Sequence, residues 1–166
     1  EWVDGKWMDM VINTWPVFKF RYDNDTKPLT DYPDKLADVK KIYGDKIDYD
    51  KVLIKTGEKD LEKLKGHTFD DIIYLGSDLV LTDLLMHEMT HVYQFQVIYG
   101  WDYKRLGNEQ REEEGEPQVY KYEIVKDKSF RKYDIEEQAQ IMQDYWNSHN
   151  NPKDAKLTPE EMKIVE

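Results

Sequence analysis

The stretch from Thr82 to Tyr99 most sharply limits what this chain can fold into. Placed on a helix at about 100° per residue, its apolar residues fall on almost every side, which predicts a helix buried in the core. Thr82 is the predicted cap of this helix, Asp83 suits its first turn, and Gly100 ends it. Two histidines and a glutamate interrupt the apolar surface. Because burying such groups without a partner is costly, the stretch predicts a shared partner that the sequence does not show.

The polar residues of this stretch are His87, Glu88 and His91, which spell His-Glu-x-x-His. Histidines four residues apart project from one face of a helix, so two neutral imidazoles can bind one cation. Glu88 follows the first histidine, where a carboxylate can take a proton from water beside the cation. This is the zincin signature. The alternative is a core in which the histidines are hydrogen bonded and no metal is present.

A catalytic zinc site normally has three protein ligands, so a third is required. Gln94 and Val97 stand where an extended metzincin motif would have Gly and His, which excludes that class. A second helix is predicted over residues 133–146, and it contains Glu136 and Glu137. The third ligand is therefore expected among these two glutamates.

Helix geometry separates the two glutamates. The apolar stripe that defines the buried direction consists of Ile135, Ala139, Met142 and Trp146. Glu136 lies at the edge of that stripe, whereas Glu137 faces water. Glu136 is thus the predicted ligand, with Gln140 and Gln143 beside it as hydrogen-bonding partners. The alternative is that both glutamates are ordinary surface residues.

The other elements indicate an α+β chain forming one domain over residues 1–166. The predicted core spans about residues 31–147, with an N-terminal extension at 1–30 and a C-terminal tail at 148–166. The remaining helices are expected at 33–44 and after Thr158, and the strands at 17–22, 52–55, 72–75 and 119–125. The acidic stretch 107–117 is predicted to be a solvated loop, and residues 147–154 a loop with His149 at the surface.

Composition excludes several classes of protein. The chain has no cysteine, which rules out disulfides, thiolate metal sites and cysteine nucleophiles. Its net charge of −11 argues against nucleic acid or an anionic membrane as the main partner. No apolar run approaches the roughly 20 residues of a membrane span, and the first residues do not form a signal peptide.

The two motifs together resemble a known family. "LLMHEMTHVYQFQ" (84–96) and "YDIEEQAQIMQDYW" (133–146) are similar to gluzincin-type bacterial zinc metallopeptidases. Within these, the chain most resembles the small metallopeptidase domain that forms a C-terminal toxic extension on type VI secretion spike (VgrG) proteins. Tyr93 replaces the usual Trp of that family, and Glu137 replaces a Gln. The resemblance covers roughly residues 36–147.

Further segments upstream contribute to the resemblance. "IYGDKIDYDKVLIKTG" (42–57) is similar to a stretch of that family, and "FDDIIYLG" (69–76) looks like its edge strand before the active-site helix. The resemblance implies a zincin-like fold, in which a small sheet packs its edge strand on the active-site helix and a second helix carries a glutamate. The edge strand would bind an extended peptide.

The resemblance also implies site residues and a role. His87, His91 and Glu136 would bind Zn²⁺, and Glu88 would be the general base of peptide hydrolysis. The site of action would be the periplasm of a competing bacterium, with an immunity protein and a parent spike or carrier as partners. Two alternatives remain: a non-enzymatic binding or delivery module stapled by zinc, and a secreted peptidase without a toxin role.

A donor that stabilises the transition state is expected near the scissile carbonyl. His67, Tyr122 and Tyr133 are the candidates, and the sequence does not choose among them. The substrate also stays open, since a protein, a peptide or the peptide stem of the cell wall would each fit.

Overall fold

The computed structural model describes residues 26–115 and 117–165. In this part of the chain it has four short strands and five α-helices, which confirms the predicted α+β class. The strands are β1 Lys27–Pro28, β2 Leu53–Lys55, β3 Gly66–Phe69 and β4 Ile72–Leu75. The helices are α1 Pro33–Tyr43, α2 Thr82–Tyr93, α3 Asp102–Glu114, α4 Ile135–Asn150 and α5 Pro159–Met162. The strand predicted at 17–22 lies outside the described residues.

The strands form one mixed sheet in the order β1-β2-β4-β3. β4 runs parallel to β2 and forms an antiparallel hairpin with β3. The prediction that residues 72–75 form the edge strand is therefore wrong, because β4 has a neighbour on both sides and, in the described part of the chain, the edges are β1 and β3. An apolar run such as Ile72–Leu75 suits an internal strand. β3 reads Gly-His-Thr-Phe, and a segment with so few apolar residues gives no clear strand pattern.

Helix α2 lies at the centre of the molecule, against β3 on one side and α4 on another. Leu85, Met86 and Met89 are fully buried on it, as an apolar surface on almost every side requires. After Tyr93 the chain continues as a π-helix over Gln94–Tyr99 and turns at Gly100, which has a φ of +56°. The predicted extent of this helix, 82–99, is thus confirmed.

The start of α2 differs from the prediction. Leu81 occupies the capping position, and no side chain caps the helix there. Thr82 is the first residue of the helix, and its hydroxyl accepts a hydrogen bond from the Lys35 ammonium. Thr82 is therefore not the cap, because it lies one residue inside the helix, and its hydroxyl contacts α1 instead.

The acidic stretch 107–117 is also not the predicted loop, because most of it belongs to α3. Glu, Gln and Arg are good helix formers, and they dominate this stretch. The buried residues of α3 are Tyr103, Gly107 and Gln110, which are too weakly apolar to show a hydrophobic period. A Cβ at Gly107 would lie 3.5 Å from Ile135 Cγ2, so α3 approaches α4 closely at this point.

The strand predicted at 119–125 is not formed. Gln118–Tyr120 make a 3-10 turn, and the residues after it have no regular structure. The Val125 N–H donates to the Tyr133 hydroxyl at 2.9 Å. In a strand, this backbone group would instead bond to the backbone of a neighbouring strand. Alternation alone does not make a strand when the segment pairs with no neighbouring strand.

The last two helices follow the sequence prediction more closely. α4 begins at a capping box formed by Asp134 and Glu137, and it continues through residues 147–150, where a loop was expected. His149 is exposed on α4, as predicted for a surface residue. α5 begins at the predicted capping box of Thr158 and Glu161. No helix in the described part of the chain could span a lipid bilayer.

Candidate metal centre

Three buried side chains from two helices converge at one cleft. His87 and His91 lie on adjacent turns of α2, and Glu136 lies in the first turn of α4. Glu136 Oε2 is 3.5 Å from His87 Nε2 and 3.4 Å from His91 Nε2. One ligand atom from each of the three residues falls within 4.8 Å of the others. This buried cluster could bind a metal ion.

The electrostatics of the cluster favour positive charge at its centre. Burial would lower the pKa of His91, but the carboxylates of Glu136 and Glu88 raise it to about 9. Burial would raise the pKa of Glu136, but His91, His87 and Arg111 hold it well below its usual range. These shifts favour a positive charge on His91 beside an ionised Glu136, and a metal ion bound there would displace the proton.

Glu136 is held in place by two residues of α3. Arg111 Nη2 donates to Glu136 Oε1. Gln110 Oε1 accepts from the Glu136 backbone N–H at 3.0 Å, and Gln110 Nε2 donates to the Val119 carbonyl at 3.2 Å. These residues fix both the main chain and the carboxylate of Glu136.

The predicted partners of Glu136, Gln140 and Gln143, are wrong. Gln140 Nε2 donates to Asp144 at 3.1 Å, and Gln143 Nε2 donates to Asp83 at 3.3 Å. Each amide is thus hydrogen bonded to a carboxylate that does not belong to the cluster. The actual partners lie in the stretch predicted to be a loop, which is why the sequence did not indicate them.

His91 is oriented by a chain of buried amides. Its Nδ1 lies 2.8 Å from Gln94 Oε1, while Gln94 Nε2 donates to the Ile135 carbonyl at 2.9 Å and to Gln138 Oε1 at 3.0 Å. Since the Gln94 oxygen can only accept, His91 Nδ1 must carry a proton, and Nε2 is left to face the cluster. Within residues 26–115 and 117–165, His87 Nδ1 has no hydrogen-bond partner.

Glu88 lies beside the cluster and is 3% exposed. The Thr68 hydroxyl, from edge strand β3, donates to Glu88 Oε2 at 2.7 Å. A Cβ at Gly66 would lie only 2.5 Å from Glu88 Oε1, so the backbone of β3 passes directly against the carboxylate. Glu88 is therefore confined next to the cluster by two residues of the same strand.

The three candidate donors occupy different places. His67 lines the cleft, and burial together with Arg111 and His91 lowers its pKa to about 3, so the ring is neutral. Tyr122 donates to Asp144 at 2.8 Å, and the Tyr133 hydroxyl accepts from Val125 N–H at 2.9 Å. Neither tyrosine is among the residues that line the cleft.

Several cleft residues were not anticipated from the sequence. They are Tyr103, Lys104 and Arg111 of α3, and Tyr120 of the following turn. Lys104 Nζ pairs with Asp70 Oδ1 at 2.5 Å. No motif in the sequence marks these residues, because their role depends on α3 crossing the cleft.

The chain is similar to a solved structure, the effector domain of Pseudomonas aeruginosa VgrG2b. The two share 28% sequence identity and a TM-score of 0.58, and the match covers 72% of this chain and 74% of the other. No protein-family model matches this chain, and no curated protein does. The similarity supports the predicted resemblance to a VgrG effector domain.

Proposed function

We propose that this chain is a zinc-dependent peptidase that acts as a type VI secretion effector. The observation that carries the proposal is the convergence of His87, His91 and Glu136 in one cleft, with Glu88 beside them. The similarity to the VgrG2b effector domain supports the role in secretion.

The spacing of the cluster suits zinc. Ligand atoms about 2.0–2.1 Å from a tetrahedral zinc lie about 3.3–3.4 Å from one another. The separations between Glu136 Oε2 and the two histidine Nε2 atoms are 3.5 and 3.4 Å. Two histidines and one glutamate also form a known ligand set of catalytic zinc sites.

The number of ligands favours catalysis over a structural staple. Among the described residues, the cluster contains three groups of the metal-ligating type and no fourth. Structural zinc sites normally have four protein ligands, whereas catalytic sites have three and keep one position open. A structural zinc site would also not require Glu88, which Thr68 and Gly66 hold beside the cluster.

The residues of the chain have separate tasks in the proposed reaction. A bound zinc ion supplies Lewis acidity, which polarises a carbonyl and acidifies water. Glu88 takes the proton of the attacking water and passes it to the leaving amine. His67, as a neutral ring in the cleft, is the proposed donor to the oxygen that becomes negative in the transition state.

The proposed site of action is the periplasm of a target bacterium, reached as part of a spike or carrier protein. An immunity protein would then protect the producing cell. These partners follow from the resemblance alone. A secreted peptidase without a toxin role is the rival, and expression of the chain in the periplasm of a sensitive bacterium separates the two.

Glu88→Gln is the central test of the chemistry. This variant should keep its zinc, measured by elemental analysis, and lose cleavage in a proteome-wide profile of cut peptide bonds. Glu112→Gln is the matched control, because Glu112 is exposed on α3. Full activity of Glu88→Gln would remove Glu88 from the role of base.

The metal assignment is tested by His87→Ala, with His149→Ala as the matched control on the surface. His87→Ala should lose zinc and His149→Ala should retain it. Unchanged zinc in both variants would place the metal elsewhere. Wild-type protein that holds zinc but cuts no peptide bond and kills no cell would favour the non-enzymatic module.

A further inference from the structure

The two carboxylate oxygens of Glu136 have different partners. Oε2 faces the Nε2 atoms of both histidines, at 3.5 and 3.4 Å. Oε1 instead accepts from the guanidinium of Arg111. Because the Glu136 side chain is 2% exposed, water does not compete for either oxygen. One carboxylate oxygen of Glu136 thus faces the two histidines, and the other is bound by the Arg111 guanidinium.

Arg111 is well placed to keep that division. It follows Gln110, which binds the backbone N–H of Glu136 at 3.0 Å. Helix α3 itself packs against α4, with Gly107 beside Ile135. The Arg111 guanidinium is always charged. It is also planar, so its N–H groups point in fixed directions, which those of a flexible lysine ammonium do not. The contact is therefore anchored at both ends.

We propose that Arg111 is a positioning residue that makes Glu136 a one-oxygen ligand of the metal. With Oε1 bound to the guanidinium, only Oε2 is free to coordinate. This keeps a coordination position of the metal open for the reaction. The inference rests on the proposed metal site and assigns Arg111 no contact with the substrate.

The test replaces zinc by Co²⁺, whose visible absorption reports coordination number and geometry. Arg111→Met removes the donor, so Glu136 should bind through both oxygens, and the cobalt bands should weaken as four-coordination becomes five-coordination. Turnover should fall about 10–100-fold, as for other residues that orient metal ligands. Arg105→Met is the control, because Arg105 lies on the same helix and pairs with Glu109 on the surface.

An unchanged cobalt spectrum in a folded Arg111→Met protein would overturn the inference. A zinc-bound crystal structure of the wild type is a second, independent measurement and decides the matter if Arg111→Met does not fold. It should show one Glu136 oxygen on the metal and Arg111 on the other, and two oxygens on the metal would overturn the inference.

The inference and the proposed function fail in different ways. Wild-type protein that binds neither zinc nor cobalt overturns both. Wild-type protein that binds metal but cuts no peptide overturns the peptidase, while a weakened cobalt spectrum in Arg111→Met would still support the role of Arg111.

Discussion

Gly66→Ala perturbs the proposed base directly, because the three atoms nearest to the added Cβ all belong to Glu88. The added Cβ would lie 2.5 Å from Oε1, and 2.8 Å from both Cδ and Cγ, of Glu88. A normal contact needs about 3.5 Å, so the carboxylate must retreat by roughly 1 Å. It cannot do so freely, because Oε2 is hydrogen bonded to Thr68 at 2.7 Å and the residue is buried.

The size of the effect follows from these contacts. Overpacking of this kind costs typically about 1–3 kcal/mol of stability. Displacing a catalytic group by about 1 Å lowers the rate about 100-fold. The atoms nearest to the added Cβ all belong to Glu88 and none to a proposed zinc ligand, so zinc content should stay at the wild-type level.

The assay compares kcat/KM on a peptide substrate identified by cleavage profiling, together with zinc content and thermal unfolding. Gly107→Ala is the matched control: its Cβ would meet Ile135 at an ordinary 3.5 Å, and Ala at this helical site should add up to about 1 kcal/mol of stability. Near-wild-type kcat/KM in Gly66→Ala would refute the placement of Glu88 as the base.

Three further changes test other contacts. Thr68→Val removes the hydroxyl that binds Glu88 Oε2, so chemical denaturation should show a loss of about 1.5–3 kcal/mol, the worth of a hydrogen bond to a charged group. Gln94→Leu removes the acceptor on His91 Nδ1, and competition with a chelator should show zinc affinity about 10–100-fold weaker. The pKa of His67 lies at about 3, below the ordinary 6.5, so between these values the unfolded chain holds a proton that the folded protein lacks. The free energy of unfolding is therefore unaffected by the titration of His67 above pH 6.5. Between pH 6.5 and about 3 it decreases by up to about 1.4 kcal/mol for each unit by which the pH falls. His67→Gln should therefore make the free energy of unfolding, measured by chemical denaturation, fall less steeply as the pH is lowered, and an unchanged slope would contradict a neutral His67 ring.

The sequence predicted local features well. The extent of the helix over 82–99, the capping box at Thr158, and the strand at 72–75 all appear in the structure. Each depends on residues close together in the chain, where periodicity and capping chemistry act directly.

The errors have a common cause. Residues 107–117 were expected to be a loop because α3 buries polar and small residues, which produce no hydrophobic period. The resemblance placed the strand at 72–75 at the edge, and the sequence of β3, which has few apolar residues, gave no sign of a further strand beside it. The partners of Glu136 were sought one and two turns along its own helix, but they come from α3.

The sequence by itself determined that His87, Glu88 and His91 share a buried helix, because their spacing and the apolar residues around them belong to one local segment. Only the tertiary structure decided which side chains complete and restrain the site. Arg111 on Glu136 and Thr68 on Glu88 join elements that are distant in the chain. Such contacts depend on how helices and strands pack. The sequence around a hydrogen-bonding side chain does not indicate which distant residue will be its partner.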